Sequence, residues 1–205
     1  MNSRIFKDNK LVIGSHNKGK IKEIHELLEP LKIEILSSHD LKIEEPEENG
    51  TTFEENALIK SNFVSQQTGL PCISDDSGIC FTDLKNEPGI YSARWAGKNK
   101  NFQSAMFKIY KAIKKIKNPN YDCHFICSLS VCWPDGYDVT VSGRVDGKFS
   151  WPPKGDKGFG YDPIFKPLGY KKTFAQMNPK FKHSISHRSI AFEKLIKFCF
   201  PSLNS

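Results

Sequence analysis

The passage that most constrains this chain lies near its start, where an apolar run hands over to a polar loop and then to an amphipathic helix. Leu11-Val12-Ile13-Gly14 reads as a strand and Ser15 to Lys20 as a loop. A helix follows over about Lys18 to Glu29, with Ile21, Ile24, Leu27 and Leu28 on one face and Pro30 ending it. A strand that passes into a helix within a few residues belongs to α/β architecture. Such a junction also aims free backbone N–H groups and the positive end of a helix dipole at the loop, which favours an anion there. Lys18 and Lys20 add full charges, and the Asn17 amide can donate. The loop does not match the G-x-x-x-x-G-K-[ST] pattern, so an ordinary P-loop is excluded.

The rest of the chain keeps the mixture. Ile33 to Leu36 is a second short strand. Thr51 with Glu54, or Thr52 with Glu55, offers a capping box for a helix to about Gln67, which Gly69-Leu70-Pro71 stops. Cys72-Ile73-Ser74 reads as a buried strand ending at an Asp pair. Phe102 to Lys117 is a helix, and His124–Cys132 and Tyr137–Val145 are strands joined by the turn Pro134-Asp135-Gly136. A last helix carries Ile190, Phe192, Leu195, Ile196 and Phe198. With no linker, repeat or low-complexity tract, residues 1–205 read as one α/β domain.

Composition narrows the function classes. At 38% hydrophobic and 12% aromatic over 205 residues, the chain has material for a core. No apolar run approaches the roughly 18 residues that span a bilayer. The first residues, Met1 to Lys7, lack the apolar stretch and small-residue cleavage site of a signal peptide, so a cytoplasmic protein without membrane attachment is expected. Six cysteines form no C-x-x-C pair and read as reduced and structural. His124 and Cys127 would point to opposite faces of a strand rather than share a metal.

The formal charge of +7 raises the possibility of nucleic acid. Much of the excess sits in Lys98, Lys100, Lys108, Lys111, Lys114, Lys115 and Lys117, on or beside one helix, and reads as a solvated face. No stable nucleic-acid partner is expected. A basic binding module built on that helix remains the alternative from another class.

Three further segments carry chemistry. Ser74-Asp75-Asp76-Ser77-Gly78 reads as an acidic turn in which two carboxylates repel unless a cation or hydrogen bonds compensate. Mg²⁺ takes one or two carboxylates plus phosphates and water, so the pair suits that ion. Gly155 to Pro163 places Phe159 between Gly158 and Gly160, where backbone can approach a flat ligand and the ring can stack on it. Lys182 and Ser186-His187-Arg188 gather donors able to recognise a base edge or a phosphate.

In this order these segments resemble the inosine triphosphate pyrophosphatase, or Ham1-like, family from Ser15 to about Leu195. The resemblance also draws on Gly50-Thr51-Thr52-Phe53-Glu54-Glu55-Asn56-Ala57 and Pro88-Gly89-Ile90-Tyr91-Ser92-Ala93-Arg94. It implies a single elongated α/β domain with a mixed, highly twisted sheet and a central substrate cleft, and a homodimer. The implied activity is Mg²⁺-dependent hydrolysis of ITP, dITP and XTP to monophosphate and pyrophosphate, keeping deaminated purines out of DNA and RNA.

Residue by residue, the resemblance implies that Ser15, His16, Asn17, Lys18, Gly19 and Lys20 hold the triphosphate, with Lys60 reaching the phosphates. Glu48 and Asp76 would carry the metal, Asp76 or its neighbour Asp75 would be the base, and Ser77 would touch substrate. Phe159, Gly160, Tyr161, Asp162, Lys182, His187 and Arg188 would form the base pocket. Two positions depart from the pattern: Asn178-Pro179-Lys180-Phe181 is neutral to basic where an acidic residue is common, and Gln176 stands in place of Glu. The nearest enzymatic rival is a related pyrophosphatase acting on modified pyrimidine or methylated nucleotides.

Overall fold

A computed structural model describes residues 4–200. Of the first residues read for a leader, Met1 to Ser3 lie outside them. In chain order the elements are β1 (Lys10–Ile13), α1 (Lys18–Leu28), β2 (Glu34–Ser37), α2 (Phe53–Thr68), β3 (Cys72–Phe81), α3 (Ser92–Trp95) and α4 (Phe102–Lys114). They continue with β4 (Asp122–Cys132), β5 (Asp138–Phe149), β6 (Phe165–Pro167), α5 (Pro179–Ser184) and α6 (His187–Cys199). The strands form one six-stranded sheet in the order β2-β1-β3-β4-β5-β6. It is mixed: β1 pairs in parallel with β2 and β3, and β5 pairs antiparallel with β6.

The chain divides into two compact units. One comprises residues Met1–Asp76, Cys127–Gly143 and Arg188–Ser205, the other Ser77–Ile126 and Arg144–His187. Each has its own core. In the first, Leu11, Ile13, Ile73, Leu129 and Val131 of the sheet pack with Trp133 just past β4, with Ile24 and Leu28 of α1 and with Leu195. In the second, Ile79 and Phe81 pack with Ile109 and Ile113 of α4 and with Phe125, Phe165 and Phe174. Each such side chain, fully buried, stabilises its unit by about 1.5–3 kcal/mol.

The sequence reading of α1, β1, β2 and β4 agrees with these spans to within two residues. The helix at Thr52 uses the second of the two capping boxes: the Thr52 hydroxyl accepts from Glu55 N, and Glu55 reaches back to the Thr52 N–H. Its inward face is largely polar, with Asn56, Lys60, Ser61 and Ser65 buried beside Ala57 and Val64. Ser61 Oγ donates to Ser130 Oγ at 2.9 Å, so hydroxyls as well as methyls dock this helix.

One expectation changes. The segment from Ser74 to Gly78 is no turn: β3 runs unbroken through both aspartates and on to Phe81. Asp, Ser and Gly favour turns in solution, but strand pairing and burial override that preference here. The lysine-rich helix buries Ala105, Met106, Ile109 and Ile113, and Phe107 lies on the exposed face with Lys108, Lys111 and Lys114. Three short elements, α3, β6 and α5, lack a periodic signal long enough to read. All six cysteines are buried and free, and burial pushes the Cys72 thiol up to about 12. Among the described residues no helix is long and apolar enough to cross a membrane.

Candidate active site

The first unit holds the charged constellation. The loop after β1 is fixed by its own polar atoms: Asn17 N–H donates to Ser15 Oγ at 3.2 Å, and Ser38 Oγ donates to the Ser15 carbonyl at 3.4 Å. Asn17 is the N-cap of α1, its side-chain oxygen accepting from Gly19 N at 3.0 Å and Lys20 N at 3.3 Å. Two of the first-turn donors expected for an anion are therefore taken by the cap. Lys18 is exposed at the helix start, and the His16 N–H donates to Glu45 Oε1 at 2.9 Å, with the His16 ring 3.2 Å from the same oxygen. The loop thus already binds one carboxylate.

Because successive strand residues face opposite sides, Asp75 and Asp76 escape direct confrontation. Asp75 meets Arg188 Nη2 at 2.9 Å and Lys20 Nζ at 3.3 Å, while Arg188 Nη1 donates to Glu23 of α1. Burial alone would raise the Asp75 carboxyl. Lys20, Arg188 and Lys60 outweigh it and hold that carboxyl well below the usual carboxylate range. Arg188, with 1% of its surface exposed, is driven further toward its charged form: burial opposes this, and Asp75 and Glu23 reverse it.

Asp76 has different company. Its Oδ2 accepts from Asn56 Nδ2 at 3.2 Å, and its Oδ1 lies 3.8 Å from Lys60 Nζ. That ammonium also meets Glu48 Oε1 at 2.5 Å, so one cation is shared by two carboxylates. Burial raises the Asp76 carboxyl above its ordinary value. Lys60 and Lys20 offset the rise in part, and Glu48 and Asp75 add to it. Lys60 is shifted up although burial opposes it, because Asp76, Glu48 and Asp75 surround it. Two adjacent carboxylates are thereby pushed in opposite directions, an arrangement that separates an acid–base group from a fixed counter-ion.

These ion pairs set four carboxylates (Glu23, Glu48, Asp75, Asp76) against three cations (Lys20, Lys60, Arg188). Among the described residues no cluster of three or more His, Cys, Asp or Glu side chains could hold a metal by itself. A hard divalent ion fits the oxygen donors present, Glu48 and Asp76, provided that water and phosphate oxygens complete its shell. Burial opposes the charge on Asp76, and a nearby cation relieves that cost.

The second unit holds the remaining candidates. Lys182, 4% exposed, donates to Asp162 Oδ2 at 3.0 Å, and its ammonium lies 5.1 Å from the Phe159 ring centre and 5.7 Å from that of Phe174. The same Asp162 oxygen accepts from Phe159 N at 3.0 Å. Gly158 has φ of +75°, and a Cβ there would lie 2.0 Å from that oxygen, so the position demands glycine. Phe159 and Gly160 are half-buried. The Tyr161 hydroxyl donates to the Ser92 carbonyl at 2.8 Å, and burial raises it, so this side chain anchors the loop through its polar end. His187 is buried with its ring stacked on Phe125 at 4.8 Å, and Ser77 is half-buried in β3.

Sequence reading grouped Arg188 with Lys182 and His187. The guanidinium instead belongs to the first unit, on Asp75 and Glu23. It had no means of finding Glu23, whose only signal is a place on the α1 surface, or of giving Asn56 a role beyond its place in a motif.

The profile of the Ham1 family matches residues 11–198. A dITP/XTP pyrophosphatase of Zymomonas mobilis is 45% identical over 197 residues, covering 96% of this chain and 94% of that one. Another from Rhodospirillum centenum is 43% identical, covering 96% and 98%. Among solved structures, a HAM1 protein from Coxiella burnetii superposes with a TM-score of 0.85 at 34% identity, covering 93% of this chain and 98% of its own. The Staphylococcus aureus Ham1 protein gives 0.82 at 34% identity over 96% and 100%. A match spanning almost the whole chain, joined to the same fold, shows that this protein belongs to the Ham1 family.

Proposed function

We propose that this protein hydrolyses non-standard purine nucleoside triphosphates, ITP, dITP and XTP, to the monophosphate and pyrophosphate, with Mg²⁺ as cofactor. The observation that carries the reading is the pair Asp75–Asp76, adjacent on one strand and shifted in opposite directions among Lys20, Lys60 and Arg188. The names of the relatives, dITP/XTP pyrophosphatases, support the substrate class.

Splitting the α–β phosphoanhydride requires a water held in line, a proton taken from it, and the leaving pyrophosphate's charge balanced. Asp76, its carboxyl raised by burial, is the group suited to take that proton at Oδ1 or Oδ2. Asp75, fixed by Arg188 and Lys20, stays ionised and places the Lys20 ammonium beside the loop. Lys18, Lys20 and Lys60 hold phosphate oxygens, and the Ser15 and Asn17 side chains orient the chain of phosphates. Glu48 and Asp76 would hold the Mg²⁺, which when bound withdraws charge from phosphate oxygens and makes water more acidic. A cytoplasmic homodimer is the expected setting.

For the base we infer recognition by Lys182, Asp162, Phe159 and His187. Inosine and xanthine present a 6-keto oxygen and an N1–H, where adenine has an amino group and a bare N1. The Lys182 ammonium can donate to the 6-keto oxygen, whereas adenine would set an amino donor against it, a mismatch worth roughly 10³–10⁵-fold in buried sites. A nucleotide panel tests the reading: ITP, dITP and XTP should exceed ATP in kcat/KM by at least about a hundredfold. Equal turnover of ATP and ITP, or a preference for modified pyrimidines, would contradict it.

A further inference from the structure

Asn56 lies one helical turn before Lys60 on α2 and has no exposed surface. Both ends of its carboxamide are used. Nδ2 donates to Asp76 Oδ2 at 3.2 Å, and Oδ1 accepts from the Gly50 N–H at 2.9 Å. A carboxamide is the side chain that can donate to a carboxylate and accept from a backbone amide at the same time; aspartate would add charge against Asp76, and leucine would lose both bonds. Gly50 closes the acidic stretch two residues after Glu48. A Cβ at Gly50 would stand 2.7 Å from Asn56 Oδ1 and 2.8 Å from Glu55 Cβ, so the loop approaches this closely because residue 50 has no side chain.

We propose that Asn56 is a positioning residue that ties the backbone carrying Glu48 to the Asp76 carboxyl, fixing the spacing and orientation of the two carboxylates for a divalent cation. The inference rests on the reading of Glu48 and Asp76 as the Mg²⁺ pair. The bond to Oδ2 leaves Asp76 Oδ1 directed at Lys60, which meets Glu48 in turn, so the three side chains are held from two sides: by the shared ammonium and by the Asn56 bridge. Groups that hold metal-ligating carboxylates in place typically account for 10- to 100-fold in metal affinity or activity.

The test uses Asn56→Leu, which removes both bonds, and Gly50→Ala, which presses on the same bridge from the loop at a half-exposed position. Mn²⁺ binding to the nucleotide-free protein, followed by the electron paramagnetic resonance of free Mn²⁺, gives a readout independent of turnover. Both variants are expected to weaken Mn²⁺ binding, and to raise the half-saturating Mg²⁺ concentration, about tenfold or more. kcat should fall while KM for ITP at saturating Mg²⁺ changes less than about threefold. If Asn56→Leu does not fold, Gly50→Ala decides. Wild-type Mn²⁺ affinity and kcat in a folded variant overturn the inference alone. Wild-type protein that binds no Mn²⁺ and turns over ITP in chelator overturns the metal reading, and this inference with it.

Discussion

The carboxylates of the two units stand in opposite kinds of environment. In the first, Asp75 and Asp76 sit among Lys20, Lys60, Arg188, Glu23 and Glu48, where Lys60 and Arg188 each meet two carboxylates. In the second, Asp162 meets Lys182 in a buried pair framed by Phe159 and Phe174. A network in which one cation serves two carboxylates can rearrange when a further charged group enters it. A buried pair bordered by ring faces offers hydrogen bonding and shape. On the proposed function, the first region handles charge and the second reads a flat group.

Substitutions can break that contrast. The largest effect is expected from Asp76→Asn, which keeps shape and removes the base: kcat should fall about 10²–10⁴-fold, measured as pyrophosphate release, with the circular-dichroism melt nearly unchanged. A variant with near-normal kcat would place the proton transfer elsewhere. Arg188→Met comes next. It leaves Asp75 buried with less countercharge, and breaking a buried pair from one side costs about 3–5 kcal/mol, readable by urea unfolding. Asp75→Asn in the same background should recover part of that loss; a cost under about 1 kcal/mol would mean the pair contributes little.

In the second unit Lys182→Met should lower kcat/KM for ITP about 10- to 100-fold, the scale of a lost charged hydrogen bond, while kcat at saturation changes little. An unaltered preference for ITP over ATP would remove Lys182 from base recognition. The smallest effect is expected at the helix that carries Asn56 and Lys60. Thr52→Ala removes the N-cap of α2 and should cost about 1 kcal/mol of stability, seen as a lower melting temperature.

Much of this was legible from residues. Period and punctuation located β1, α1, α2 and β4, because Ile24, Leu28, Leu11 and Ile73 bury in patterns that local chemistry announces. The motifs pointed to Glu48, Lys60, Asp76, Asp162 and Lys182, and the structure brings the first three together in one charged cluster and pairs the last two. What failed was geometry set by distant partners. Asp-Asp-Ser-Gly has the composition of a turn, and only pairing within the sheet makes it a strand that turns the two carboxylates to opposite faces. Asn17 reads as a donor to substrate, and the structure adds a second task, its oxygen capping α1 while the amide nitrogen is left to donate. The resemblance puts Arg188 with His187 in a base pocket, but its guanidinium lies on Asp75 and Glu23.

In the proposed reaction the Asp75–Asp76 region drives attack between the α- and β-phosphates with help from Mg²⁺. The most direct measurement is ITP hydrolysis by the full chain, with Mg²⁺ and with chelator, resolving pyrophosphate from orthophosphate. The account predicts stoichiometric IMP and pyrophosphate with Mg²⁺ and a loss of at least about a hundredfold in chelator. Orthophosphate and IDP as products, or turnover indifferent to Mg²⁺, would contradict it.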